Sequence, residues 1–61
     1  MPGLVGIVEL FEGDDGWRWR MRGRNGEILA TSEAYSSEAK ARETASALVA
    51  DLGDVALSTT R

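Results

Sequence analysis

Few side chains in this sequence could do chemistry, and four of them share one spacing. Arg18, Arg20, Arg22 and Arg24 occupy every second position, so an extended chain places their guanidinium groups on one face. Such a ladder could hold phosphates or a nucleic-acid backbone, with Phe11 as a stacking platform. The alternative is that the arginines pair with carboxylates on neighbouring strands. Other candidates are sparser. Ser37 and Lys40 have the spacing of the serine–lysine pair of penicillin-recognising enzymes. The other motifs of that chemistry are missing, and a helix-capping serine with an exposed lysine in the next turn accounts for both. Asp14 and Asp15 lie between glycines and read as turn formers, since further oxygen ligands for a cation are lacking. Acid–base work would fall to carboxylates, Lys40 or Tyr35, and nothing brings two of these into one cleft. The expectation is a non-enzymatic protein.

Composition narrows the field further. The sequence has no cysteine and no histidine, which removes disulfides, thiolate metal sites and the commonest transition-metal ligand. No metal or cofactor is expected. At 61 residues a single core usually leaves only about 3–5 kcal/mol of net stability. Association with another chain is then the leading remedy. Ten acidic residues outweigh seven basic ones, for a net charge of −3. That lacks the overall field of a nucleic-acid binder, so nucleic acid is not the expected partner. No apolar run approaches the roughly 20 residues that span a bilayer. Met1-Pro2-Gly3 does not open a signal peptide. A soluble cytoplasmic protein is the expectation.

The ladder has to be positioned by strands. Residues 4–12, rich in branched and aromatic side chains, close on Gly13-Asp14-Asp15-Gly16 and read as a strand and turn. Residues 17–23 alternate strictly, with Trp17, Trp19 and Met21 opposite Arg18, Arg20 and Arg22, the signature of a strand buried on one side. Asn25-Gly26 is the preferred pair for a tight type I′ hairpin, and residues 27–33 follow as a third strand. The result is a three-stranded antiparallel meander.

These turns set a register. With a loop at 13–16, Val8 lies opposite Met21, Glu9 opposite Arg20, Leu10 opposite Trp19 and Phe11 opposite Arg18. With a two-residue loop at 25–26, Arg24 faces Glu27, Arg22 faces Leu29, Arg20 faces Thr31 and Arg18 faces Glu33. Met21 then sits beside Ala30, and Trp19 beside Ser32. One face collects Val8, Leu10, Trp17, Trp19, Met21, Ile28 and Ala30 as the core. On the other, Arg18, Arg20 and Arg24 acquire acidic neighbours, while Arg22, between Ile7 and Leu29, has none. Val5, Ile7, Phe11 and Leu29 share that face. Mixed aromatic, aliphatic and arginine surfaces are enriched at protein interfaces.

Beyond the third strand the period changes. Ser36 or Ser37 is a natural N-cap for a helix over about 37–52, with Glu38 in the first turn and an i,i+4 pair between Glu38 and Arg42. Ala41, Ala45, Leu48, Val49 and Leu52 form an apolar stripe that must cover the tryptophan face. Gly53 is the expected C-terminal cap. Residues 54–59 read as a short fourth strand with Val55 and Leu57 on one face, and Ser58 to Arg61 are expected to fray. A 15-residue helix runs some 22 Å at about 1.5 Å per residue. That carries the tail far from the helix start, so it could complete its own sheet or a partner's.

The stretch Trp17-Arg18-Trp19-Arg20-Met21, then Asn25-Gly26-Glu27-Ile28, Thr31-Ser32-Glu33 and Tyr35-Ser36-Ser37 resembles the YegP-like family, a small domain of unknown function. The resemblance covers about residues 6–52. It implies an α+β fold of β-β-β-α-β units, present as tandem repeats or as two chains, that build one sheet and exchange their C-terminal strands. With a single unit over residues 1–61, it implies a homodimer that swaps the strand carrying Val55 and Leu57. No activity comes with it. The expected function is protein–protein contact through the sheet surface of such a homodimer, centred on Phe11, Arg18, Arg20, Arg22, Arg24 and Leu29. The alternative is an anionic ligand or nucleic acid on the same arginines.

Overall fold

The computed structural model describes residues 3–60; Met1, Pro2 and Arg61 lie outside the described residues. Along the chain run β1 (Val5–Gly13), β2 (Gly16–Gly23), β3 (Ile28–Thr31), α1 (Glu38–Leu52) and β4 (Ala56–Thr60). The strands form one sheet in the order β3-β2-β1-β4.

The first hairpin has the register expected from its turn. Asp14 and Asp15 form a two-residue loop between Gly13 and Gly16, and Val8, Glu9, Leu10 and Phe11 pair with Met21, Arg20, Trp19 and Arg18. Gly16 adopts φ +137°, and a Cβ there would stand 2.5 Å from the Tyr35 carbonyl oxygen. Only glycine fits so close a backbone approach.

The second hairpin departs from expectation at its tip. Gly26 takes φ +90°, but Asn25 has negative φ, so the pair is not a type I′ turn. Instead the Gly26 N–H donates to the Gly23 carbonyl at 3.0 Å, and the Gly23 N–H donates to Glu27 O at 2.7 Å. Arg24, Asn25 and Gly26 thus form a three-residue loop, with glycine supplying the left-handed residue. The extra residue is absorbed as an irregularity between Met21 and Arg22. Arg22 therefore pairs with Ile28 instead of Leu29, whereas Met21–Ala30 and Arg20–Thr31 keep the expected register. The shift takes Ile28 out of the core, and it is 53% exposed.

The third strand is shorter than residues 27–33. Ser32 Oγ accepts the Trp19 N–H at 2.9 Å and donates to Glu33 O at 2.8 Å, replacing part of the strand ladder with side-chain bonds. The chain rejoins the sheet at an isolated bridge between Trp17 and Tyr35.

Helix α1 matches its signals closely. Ser37 is the N-cap, its hydroxyl accepting the Lys40 N–H at 3.2 Å. Glu38 pairs with Arg42 at 2.6 Å. Gly53, at φ 88°, donates its N–H to Val49 O as the C-cap. The helix returns the chain to the start of β1, and β4 runs parallel to β1 with Ile7, Val8, Glu9, Leu10 and Phe11 beside Ala56, Leu57, Ser58, Thr59 and Thr60. The sheet is therefore a four-stranded mixed sheet, not a three-stranded meander alone. Ser58 to Thr60 are paired within it instead of fraying.

The core is small. Among the described residues Val8, Leu10, Ala41 and Ala45 are the fully buried hydrophobic side chains. Trp17, Trp19, Met21 and Ala30, expected in the core, are half-buried. The helix packs over β1, β2 and β4, so its alanine stripe seals the centre of the sheet and covers the tryptophans incompletely.

Candidate interaction face

The sheet's second face carries the arginines and has no helix over it. Pairing places Phe11 beside Arg18, Glu9 beside Arg20 and Ile7 beside Arg22. On the far side of β1, Ala56, Ser58 and Thr60 continue the same face. Side chains at alternate positions of adjacent strands are thereby fixed in rows.

Glu9 organises the middle of this face. One of its oxygens, Oε1, accepts from Arg20 Nε at 2.8 Å and from Arg22 Nε at 2.7 Å. The Arg20 hydrogen bond, then that of Arg22, holds the Glu9 carboxyl below its ordinary range, against the opposing effect of burial. The Arg20 guanidinium also lies 4.4 Å from the centre of the Phe11 ring, within cation–π range. Arg22 extends a second bond, 2.7 Å, to the Gly26 carbonyl.

Arg18 turns toward the first hairpin. It contacts Asp15 through two bonds of 2.6 and 3.2 Å and donates to Ser32 O at 2.7 Å. The Arg18 bond lowers the Asp15 carboxyl and raises Arg18 in return. Arg24 donates Nε to Gly3 O at 2.9 Å. No carboxylate among the described residues lies within ion-pair distance of it.

Two expected pairs are therefore replaced. Arg18 does not meet Glu33, because β3 ends at Thr31 and Ser32 diverts the chain. Arg24 does not meet Glu27, because the three-residue loop takes in Arg24 and leaves Glu27 opposite Gly23 at its neck. Arg22, expected to lack a partner, shares Glu9 with Arg20 across a diagonal of the strand pair. Ser32 lies beside Trp19 as expected, its N–H donating to Trp19 O at 2.8 Å, and its hydroxyl adds the bonds that end the strand.

The remaining candidates lie elsewhere. Leu29 is 38% exposed on the edge strand β3. Leu57 pairs with Val8, on the helix side of the sheet. Val55 belongs to a cavity of about 450 Å³ at the end of the sheet, together with Leu4, Val5, Arg24, Leu52 and Asp54. Leu4 and Leu52 are 73% and 41% exposed there. In the core the indole N–H of Trp19 is buried without a hydrogen-bond partner.

Among the described residues no three Asp or Glu side chains are grouped so as to hold a metal ion. Among the described residues no helix is long and apolar enough to cross a membrane. No curated protein matches the chain, and no solved structure does. The family described as a domain of unknown function, DUF1508, matches residues 13–47, from the first turn through β2, β3 and most of α1. More than half of the chain is covered, including the arginine ladder and the Ser32–Ser37 connection, and the protein belongs to this YegP-like family of unknown function.

Proposed function

We propose that this protein is a non-enzymatic, cytoplasmic homodimer that exchanges its C-terminal strand and engages a protein partner through the arginine face of its sheet. The observation that carries the partner reading is the composition of the uncovered face. Phe11 and Ile7 lie opposite Arg18 and Arg22, Ile28 pairs with Arg22 on the edge strand, and Arg18, Arg20 and Arg22 are half-buried, which is the chemistry enriched at interfaces.

Support for self-association comes from the opposite direction. Leu4, Val55 and Leu52 line an open cavity at the helix C-terminus, and the tryptophans remain half-buried. A second copy would cover both. In such a dimer β4, now beside β1 of its own chain, would take the same register beside β1 of the other copy. Sedimentation equilibrium at micromolar concentration tests this part: a dimer mass is expected, and a cooperatively folded monomer would overturn it. Affinity capture from the native organism tests the partner reading. A partner retained at moderate salt and lost with Phe11→Ala supports it; no partner lost with that substitution removes it.

An anionic ligand is the second reading, favoured by Arg24, whose side chain among the described residues has a carbonyl and no carboxylate as acceptor. Binding of that kind should weaken steeply with salt and vanish when Arg20 and Arg22 become glutamates.

A further inference from the structure

Charge on the arginine face is unevenly compensated. Asp15 neutralises Arg18, and the single carboxylate of Glu9 serves both Arg20 and Arg22. Counting Arg24, four guanidinium groups meet two carboxylates in ion pairs, and Arg24 is the one with no ion pair among the described residues. Asp54 shares the neighbouring cavity with Arg24 without pairing to it. Glu27 folds its side chain against Gly23 and pairs with neither arginine.

At the Arg22–Arg24 end the face has a shallow, open depression of about 410 Å³, lined by Gly6, Ile7, Arg22, Gly23, Arg24 and Gly26. Three of these residues are glycines, so backbone makes up much of the wall beside Arg22, Arg24 and Ile7. At Gly6 the β1 register shifts, and a Cβ would stand 3.2 Å from the Arg24 Cα. Glycine thus lets the chain bearing Arg24 close over the end of β1. Ile28, partner of Arg22 on the edge strand, is 53% exposed beside it.

We propose that Arg22 and Arg24 form the seat for an aspartate or glutamate side chain of a partner protein, with Ile28 taking an apolar neighbour of that residue. This rests on the reading of the sheet face as a protein-binding surface. Guanidinium groups offer paired donors that match a carboxylate. The rest of the molecule favours a short acidic segment over a phosphate polymer. The chain carries −3 overall, and a long polyanion would extend from the local positive patch into that repulsive field.

Fluorescence anisotropy with a labelled peptide of alternating glutamate and leucine tests the seat. The same peptide with glutamine and a single-stranded DNA oligonucleotide serve as comparators. The glutamate peptide should bind most tightly, and Arg24→Gln should weaken it by about threefold or more. Lys40→Gln, which removes the same charge from the exposed side of α1, should leave binding unchanged. Arg24→Lys should fall between Arg24→Gln and the unaltered chain, since it keeps charge and loses the fork. Equal binding by Arg24→Gln, no preference for glutamate over glutamine, tighter binding of DNA, or no peptide binding would each overturn the seat. A captured partner that is lost with Phe11→Ala but retained with Arg24→Gln would sink the seat while leaving the surface reading intact.

Discussion

Glu9 binds two arginines with one oxygen, and that geometry makes its protonation state matter to the sheet. Its side chain is 20% exposed, and those of Arg20 and Arg22 are 26% and 30% exposed. Because the folded state holds the carboxyl below its ordinary range, the unfolded chain binds a proton at higher pH than the folded one. The stabilisation is therefore fully present above the ordinary glutamate value of about 4.3 and is lost as the pH falls through the lower folded value. Glu9→Gln should cost roughly 1 kcal/mol at neutral pH. It should also flatten the acid side of a stability profile measured by urea denaturation; an unchanged acid limb would mean that the pairs do not stabilise the fold. The Glu9–Arg20 pair was legible from turn length alone, since Asp14-Asp15 dictates the register. The Arg22 bond was not, because a diagonal neighbour becomes a partner only when a long side chain leans along the strand. Arg18 choosing Asp15 was equally hidden, since a turn residue three positions away does not figure in cross-strand pairing.

At the level of elements, the two hairpins show what a turn signal can and cannot specify. Both turns were legible as turns, and both carry glycine at positive φ. Yet Asn25-Gly26 supports either a two-residue loop or a three-residue loop with a bulge, and the choice depends on how Gly23 and Glu27 bond across the neck. That single residue decides whether Ile28 is core or surface. The glycines differ in what surrounds them, and substitution should reveal it. Around Gly26 a Cβ would meet open space, so Gly26→Ala carries only the backbone strain of about 1 kcal/mol. At Gly16 a Cβ would meet the Tyr35 carbonyl, and the chain would have to break the two hydrogen bonds joining Trp17 and Tyr35. Gly16→Ala should therefore cost about 2–4 kcal/mol. Midpoints of chemical denaturation compare the two directly. Equal losses would mean that the Ser32–Ser37 connection is not anchored at Gly16.

For the molecule as a whole, the question is which chain supplies β4. Four fully buried hydrophobic residues among those described are a thin core for a free monomer, and strand exchange would add a second copy's cover without altering any strand register. Length and composition made the shortage legible; the destination of the tail was not, because nothing in residues 54–60 distinguishes β1 of the same chain from β1 of a second copy. The absence of native cysteine allows a clean experiment. Ile7 and Ala56 are register partners, and neighbouring Cα atoms in a sheet fall within disulfide range. One chain carrying Ile7→Cys is mixed with another carrying Ala56→Cys, unfolded and refolded together, then oxidised. If β4 is exchanged, the mixture should yield a covalent dimer, and each variant alone should yield far less. If β4 stays with its own β1, the mixture should give no more dimer than the separate chains, and the doubly substituted chain should oxidise to a cross-linked monomer. That second pattern would overturn the swap even if sedimentation showed a dimer, because both tails would then pair with β1 of their own chains.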